Sequence, residues 1–222
     1  MTGRFLTSFS TLPARLTLSL GGAALAFLTF ILITRELVEG DVDGFDKQLM
    51  LAVDSMRNPW LTSVATDITA LGSLTIVVLF SALTLAVLFV LKDKIGALQL
   101  MAASVGSGIL TLLTKDIIER IRPPEAQRLI AVSGFSYPSG HSLSTSALYL
   151  TIAIIAARHL RNQSARMIVF FGAAVMLTMV GASRVYLGVH YATDVLSGIS
   201  LGAAWALMLA GCVTLLSHRK SS

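Results

Sequence analysis

Cysteine is all but missing from the chain. Cys212 is the only one and lies inside an apolar run, so no intrachain disulfide can form and nothing about redox compartment follows from it. Charge is the next scarcity: Asp, Glu, Lys and Arg make up 13% of the 222 residues, against 55% hydrophobic. That balance excludes the charged exterior of a soluble domain. Low-complexity linkers and internal repeats at a fixed period are also lacking, which argues for a single domain over residues 1–222. Histidine occurs only four times, so any imidazole chemistry has few carriers.

What fills the chain is a series of apolar blocks. Residues 16–34, 73–91, 95–114, 139–157, 167–187 and 195–217 are each long enough, or nearly so, to cross a hydrocarbon core of about 30 Å as a helix. The expectation is an all-α, polytopic membrane protein, a bundle of six transmembrane helices. Arg4 and Arg15 ahead of the first block imitate a signal peptide, but Arg35-Glu36-Leu37 follows it with no small-x-small cleavage site, so an uncleaved anchor is expected.

The connecting segments alternate in charge. The N-terminus, the turn at 92–94, the loop at 158–166 and the C-terminus hold nine basic residues against one acid, whereas the other side holds eight against eleven. The positive-inside rule then puts both termini in the cytoplasm of a bacterial inner membrane protein and the Arg184–Asp194 stretch outside. The net charge of +5 reflects this bias and implies no nucleic-acid surface.

Residues 1–15 read as a loosely ordered lead-in, and Gly21 to Ala26 as a small-residue patch for close helix packing. Over 35–60, Phe45, Leu49, Val53 and Met56 recur at helical spacing with Asp46, Lys47, Asp54 and Arg57 on other faces. This predicts a short helix at the membrane surface, an interfacial filler rather than a lid, ended by Asn58-Pro59 and followed by Trp60 in the interfacial belt. Asp67 is assigned a capping or structural role, Asp116 an i,i+4 pair with Arg120, and Glu119 a similar pair with Lys115. His159 and His218 are expected to be solvated at the cytoplasmic ends.

Three outward-facing stretches carry chemistry. In Ser183–Asp194, Asp194 stands one turn beyond His190, where a carboxylate can hold Nδ1–H and leave Nε2 bare as a nucleophile; a helix-end histidine with an acid neighbour fits equally well at this point. Lys115 and Arg122 are two helical turns apart, with Pro123-Pro124 ending the helix; they suit either an anion or snorkelling to headgroups. Tyr137-Pro138-Ser139-Gly140-His141-Ser142 opens a span with free N–H groups at a positive dipole end, His141 at its rim.

Together, Lys115-x6-Arg122-Pro123, Pro138-Ser139-Gly140-His141 and Ser183-Arg184-x5-His190-x3-Asp194 resemble the three-part signature of the type 2 phosphatidic acid phosphatase (PAP2) superfamily. All eleven specified residues are present in order. The likeness is greatest to small bacterial phosphatidylglycerophosphatase and undecaprenyl-diphosphate phosphatase branches. The resemblance implies that His190 attacks phosphorus to form a phosphohistidine, that Asp194 holds its tautomer and that His141 protonates the leaving oxygen. It implies that Lys115, Arg122, Arg184, Ser139 and the Gly140 backbone N–H bind the phosphoryl oxygens.

The residues agree on chemical grounds. Phosphoryl transfer asks mainly for positioning and for positive charge around the equatorial oxygens. Three cations and a helix N-terminus supply both, and no carboxylate or histidine cluster of metal-ligand spacing is read on the outer face, so no metal or cofactor is expected. The partners implied are the bilayer and a phosphorylated lipid. Undecaprenyl diphosphate, phosphatidylglycerophosphate, phosphatidate and lipid A 1-phosphate stay open, as do hydrolase against transferase and the oligomeric state. Vanadate-holding haloperoxidases share the motifs, but six spans suit a lipid substrate. A lipid carrier without catalysis would need the cations and neither histidine.

Overall fold

The computed structural model describes residues 3–219, with side chains placed over 14–217. The expectations for Arg4, His218, Arg219, Lys220 and most of the 1–15 lead-in lie outside the placed side chains. The described residues form helices joined by turns: α1 (Gly3–Glu39), α2 (Asp43–Ser55), α3 (Pro59–Ala70), α4 (Leu74–Val90), α5 (Lys94–Ile118), α6 (Gly140–His159), α7 (Gln163–Tyr186) and α8 (Ala192–Arg219), with a 3-10 turn at Glu125–Gln127.

Five of these, α1, α5, α6, α7 and α8, are long and apolar enough to cross a membrane. The sixth span is broken: α3 and α4 meet at 47° around Leu71-Gly72-Ser73. The sequence predicts a continuous span over 73–91 and no helix between it and the surface helix that Asn58-Pro59 ends. Local chemistry explains the two pieces. Asn58 caps α3 by accepting from Leu61 N–H at 2.9 Å, with Pro59 preset at its first position, and Ser73 starts α4 anew by accepting from Ile76 N–H at 3.4 Å.

α6 is the most enclosed span, flanked by α5, α7 and α8, while α1 runs along α8. Its buried residues combine large apolar ones, Leu143, Leu148 and Ile155, with small polar ones, Ser142, Thr145, Ser146 and Thr151. The α6–α8 contact depends on two glycines four apart on α8. A Cβ on Gly198 would stand 2.6 Å from the Ser139 carbonyl oxygen, and one on Gly202 2.4 Å from that of Leu143. Backbone against backbone is the small-x-x-x-small packing of membrane helices, and Ser146 Oγ donates across the seam to Ile199 O at 2.9 Å. It sets the start of α6 beside the start of α8, where the motifs lie. Large apolar side chains such as Leu25, Phe89, Leu112 and Phe171 point outward, the expected lipid-facing surface.

The surface helix predicted within 35–60 is α2, but its inner face differs from the one read. Asp46 and Met50 are buried and Leu49 and Val53 pack beside them, whereas Phe45 and Met56 are exposed. Positions 46, 49, 50 and 53 form one helical face, so an acid points inward.

Candidate active site

His190 lies in the connection between α7 and α8, one turn before Asp194 in the first turn of α8. Gly188 makes that connection: its φ is +70°, and a Cβ there would stand 2.1 Å from Gln127 O. His190 and Asp194 are both buried. His190 Nδ1 is 3.4 Å from Asp194 Oδ2, which also accepts from Ser136 Oγ at 2.5 Å and Tyr191 N–H at 2.9 Å. On the opposite ring edge, Arg122 Nη1 stands 3.2 Å from Nε2. A guanidinium only donates, so Nε2 is the acceptor and the proton belongs on Nδ1, facing the carboxylate. Burial lowers the His190 pKa from 6.5 to about 4, against an opposing pull from Asp194, so the ring is neutral at pH 7.

Three cations cluster here, Arg122 and Arg184 acting on the ring and Lys115 on both arginines. Lys115, in the last turn of α5, donates to Phe135 O. Arg122 donates through Nε to Gly134 O at 2.8 Å and through Nη1 to Val189 O at 2.7 Å. Arg184, only 4% exposed in the last turn of α7, donates to Thr69 Oγ1 at 3.0 Å, while its Nε is buried with no hydrogen-bond partner. Among the described residues none of the three has a carboxylate within ion-pair distance. An unpaired buried N–H costs roughly 1–3 kcal/mol, and uncompensated buried cations cost more. An anion would offset both.

A fourth cation does the opposite work. Arg120 donates to Asp194 Oδ1 at 2.6 Å, to Asp46 Oδ2 at 2.8 Å and to Thr193 Oγ1 at 2.8 Å, and its guanidinium carbon lies 4.3 Å from the centre of the Tyr191 ring. Asp46 in turn accepts from Thr193 N–H at 3.2 Å and Thr193 Oγ1 at 2.5 Å. A carboxylate from α2 thereby serves the N-terminus of α8, and Arg120 takes the direct ion pairs of both acids, so neither lies within ion-pair distance of the other three cations.

The start of α6 supplies the remaining pieces. Ser139 is buried as N-cap, its Oγ accepting from Ser142 N–H at 3.4 Å and Ser142 Oγ at 3.0 Å, and its own N–H donates to Asp194 O at 3.0 Å. The first helical bond engages Leu143, so the N–H groups of Gly140 and His141 stay available to a ligand. Arg184, His190, Arg122 and Lys115 all act electrostatically on His141. The α3–α4 break packs against the start of α6: a Cβ on Gly72 would stand 3.2 Å from His141 Cβ and 2.9 Å from Thr145 Oγ1.

The eight residues expected from sequence, His190, His141, Asp194, Lys115, Arg122, Ser139, Gly140 and Arg184, thus share one end of the bundle. Some routes differ from those expected. α5 ends at Ile118 because Glu119 adopts a left-handed conformation at φ 48°. Lys115 and Arg122 therefore meet through the fold-back at 133–135 that accepts from both, not along one helix face. The same break rules out the Asp116–Arg120 pair, since Arg120 turns inward to Asp46 and Asp194, and Glu119 makes no ion pair with Lys115. His159 is bonded to Asp93 at 3.0 Å rather than simply solvated, and Asp67 is exposed on α3. Glu36, Glu39 and Asp41 bring ligand atoms within 4.8 Å of one another, a grouping not read from sequence; all three are exposed and Arg35 pairs with Glu39. Arg120, Asp46, Ser136 and Thr69 were missed. For Asp46 a signal existed, an acid in register with Leu49, Met50 and Val53.

Comparison with known proteins bears on the same residues. The PAP2 superfamily profile matches residues 96–217. Phosphatidylglycerophosphatase B of Bacillus subtilis is 36% identical over 190 residues, covering 83% of this chain and 91% of the relative. The crystal structure of a transmembrane PAP2-type phosphatidylglycerolphosphate phosphatase from Bacillus subtilis superposes with a TM-score of 0.80 at 34% identity, covering 86% of this chain and 94% of that one. A lipid A 1-phosphatase of Rhizobium johnstonii is 33% identical over 113 residues, covering 47% of this chain and 42% of the relative.

Proposed function

This chain belongs to the PAP2 superfamily, and on that premise we propose that it is an integral-membrane lipid phosphatase working through a phosphohistidine on His190, with phosphatidylglycerophosphate as the favoured substrate. The observation that carries the reading is the charge arrangement around His190: a neutral imidazole with Nε2 free of its proton and accepting from Arg122, in a cluster with Arg184 and Lys115 where no carboxylate stands within ion-pair distance of the three cations. Nε2 attacks phosphorus while Lys115, Arg122, Arg184 and the Gly140 N–H take up the charge on the equatorial oxygens. The P–O bond to the lipid breaks, and the leaving oxygen receives a proton from His141. Water, giving its proton back to His141, then attacks the phosphohistidine to release orthophosphate. Asp194, held by Arg120, Ser136 and Tyr191 N–H, keeps Nδ1 protonated and the ring aimed.

These groups need no metal in any step, so phosphate release should continue in excess chelator; complete loss that added metal reverses would overturn this. The test is phosphate release by purified protein on phosphatidylglycerophosphate, undecaprenyl diphosphate, phosphatidate and lipid A 1-phosphate, with His190→Ala as blank. The similarity to lipid A 1-phosphatase over about half the chain makes the last lipid the second reading. Phosphorylated acceptor in place of free phosphate would make the protein a transferase.

The charge bias between the bundle ends supports a bacterial inner membrane setting with cytoplasmic termini and the His190 site outside. Labelling of Ser133→Cys in a Cys212→Ala background by a membrane-impermeant thiol reagent on intact cells tests it; labelling only after lysis would reverse the orientation.

A further inference from the structure

At the end of the bundle opposite His190, one helix length or about 30 Å away, α1, α6, α7 and α8 line a cavity of ≈ 610 Å³. That lies within the ~300–1,000 Å³ common for ligand sites. Its wall is apolar, with Leu18, Ile154, Met167, Phe170 and Leu207, and three arginines from three different helices line it: Arg15, Arg158 and Arg166.

The charges are arranged for an anion. Among the described residues none of the three arginines has an ion-pair partner within 4.0 Å. Asp93 acts on Arg158 from a distance, but its carboxylate is already engaged by Gly96 N–H at 2.7 Å and His159 at 3.0 Å. Arg166 sits in the first turn of α7, the positive end of the helix dipole, where a cation is disfavoured unless an anion joins it. Its Nε donates to Leu160 O at 3.0 Å, which fixes the guanidinium and leaves both Nη groups free to donate.

A soluble anion would leave the apolar wall unused, and an uncharged lipid would leave the arginines unpaired. We infer that this cavity binds one anionic glycerophospholipid of the leaflet opposite the active site, its phosphodiester between Arg15, Arg158 and Arg166 and an acyl chain along Leu18 and Phe170. Basic pockets between membrane helices bind such headgroups, each guanidinium contributing roughly fivefold in affinity, less at high salt. The site is independent of the chemistry proposed for His190.

The test uses full-length protein in uncharged detergent and counts retained lipid by native mass spectrometry during titration with phosphatidylglycerol or phosphatidylcholine. Wild type should retain one phosphatidylglycerol at concentrations where phosphatidylcholine is lost. The Arg15→Gln/Arg158→Gln/Arg166→Gln variant should need about 100-fold more lipid, while Arg122→Gln, at the other end, should bind as wild type does. Ala157→Trp fills the cavity without changing charge and should also prevent retention, so the result does not rest on one variant folding. Equal retention of both lipids, loss in Arg122→Gln but not in the triple variant, or competition by millimolar inorganic phosphate alone would overturn the assignment.

Discussion

Each end of the bundle brings together three basic side chains that have no ion-pair partner among the described residues, and the two ends use them in opposite ways. At the His190 end, Lys115, Arg122 and Arg184 crowd a buried imidazole, and Arg184 Nε is buried without a partner. At the other end Arg15 and Arg158 are exposed and Arg166 half-buried around an apolar cavity, with no histidine or carboxylate among the lining residues. Cations alone recognise an anion; turnover needs a neutral nucleophile among them and the removal of competing carboxylates. Arg120 supplies part of that by pairing directly with Asp46 and Asp194, which keeps both carboxylates out of ion pairs with the three cations. Enclosure is costly for the folded chain, which is why it belongs where charge develops during a reaction and not where a headgroup merely rests.

The contrast breaks most directly at the nucleophile. His190→Gln should lower kcat/KM by at least ~10⁴-fold, the scale of losing an attacking group. Binding of the same lipid, measured at equilibrium, should change only a few-fold. Substantial residual turnover would reduce the His190 end to a second anion site.

Next in size is His141→Ala. Loss of a general acid costs ~10²–10⁴-fold where the leaving group is an alkoxide. A phosphate leaving from a lipid diphosphate needs its proton far less, and there the loss should stay under about tenfold. Single-turnover kinetics on both lipids separate the cases; equal losses would remove His141 from the acid role.

Smaller again is the network behind Asp194. Arg120→Gln and Asp46→Asn should each lower kcat/KM by roughly 10–100-fold, the range of supporting-shell losses at built sites. The double variant should be no worse than the weaker single one, because both act through one hydrogen-bonded unit. Asp116→Asn, which leaves that unit untouched, should be silent. Additive losses in the double-mutant cycle would mean that α2 and Arg120 support the site separately.

Much of this was legible before the structure because the signals are local. Apolar block lengths identify spans, and the spacings around Lys115, Ser139 and His190 identify the site residues without knowledge of the path between them. What was not legible depends on that path. Glu119 in a left-handed conformation ends α5 early and sends Arg120 inward, an event no periodicity reports. Gly198 and Gly202 read as ordinary small residues until α6 is laid against them. Ser136 and Thr69 reach Asp194 and Arg184 from segments distant in sequence. α2 is the instructive error. Choosing Phe45 and Met56 for its inner face made Asp46 look solvated, when the register of Leu49, Met50 and Val53 places that acid inside.

The smallest expected effect tests burial itself. A histidine titrating at its ordinary ~6.5 would be about 97% protonated at pH 5 and useless as a nucleophile. Burial moves His190 to about 4, so at pH 5 it is still about nine-tenths neutral. Its acid limb in kcat/KM therefore lies near pH 4. A monophosphate substrate brings its own second ionisation near ~6, which would mask that limb. The ratio of kcat/KM between wild type and Asp194→Asn removes the shared substrate contribution. Asp194 raises the His190 pKa against the larger effect of burial, so deleting its charge moves the limb further down, never up. As pH falls through 4, wild type loses its neutral imidazole before the variant does, and the ratio should drop by about twofold there while staying flat from pH 7 to 5. A ratio that already falls between pH 7 and 6 would mean that His190 titrates as an exposed histidine. The two ends of the bundle would then differ in the residues they hold but not in enclosure.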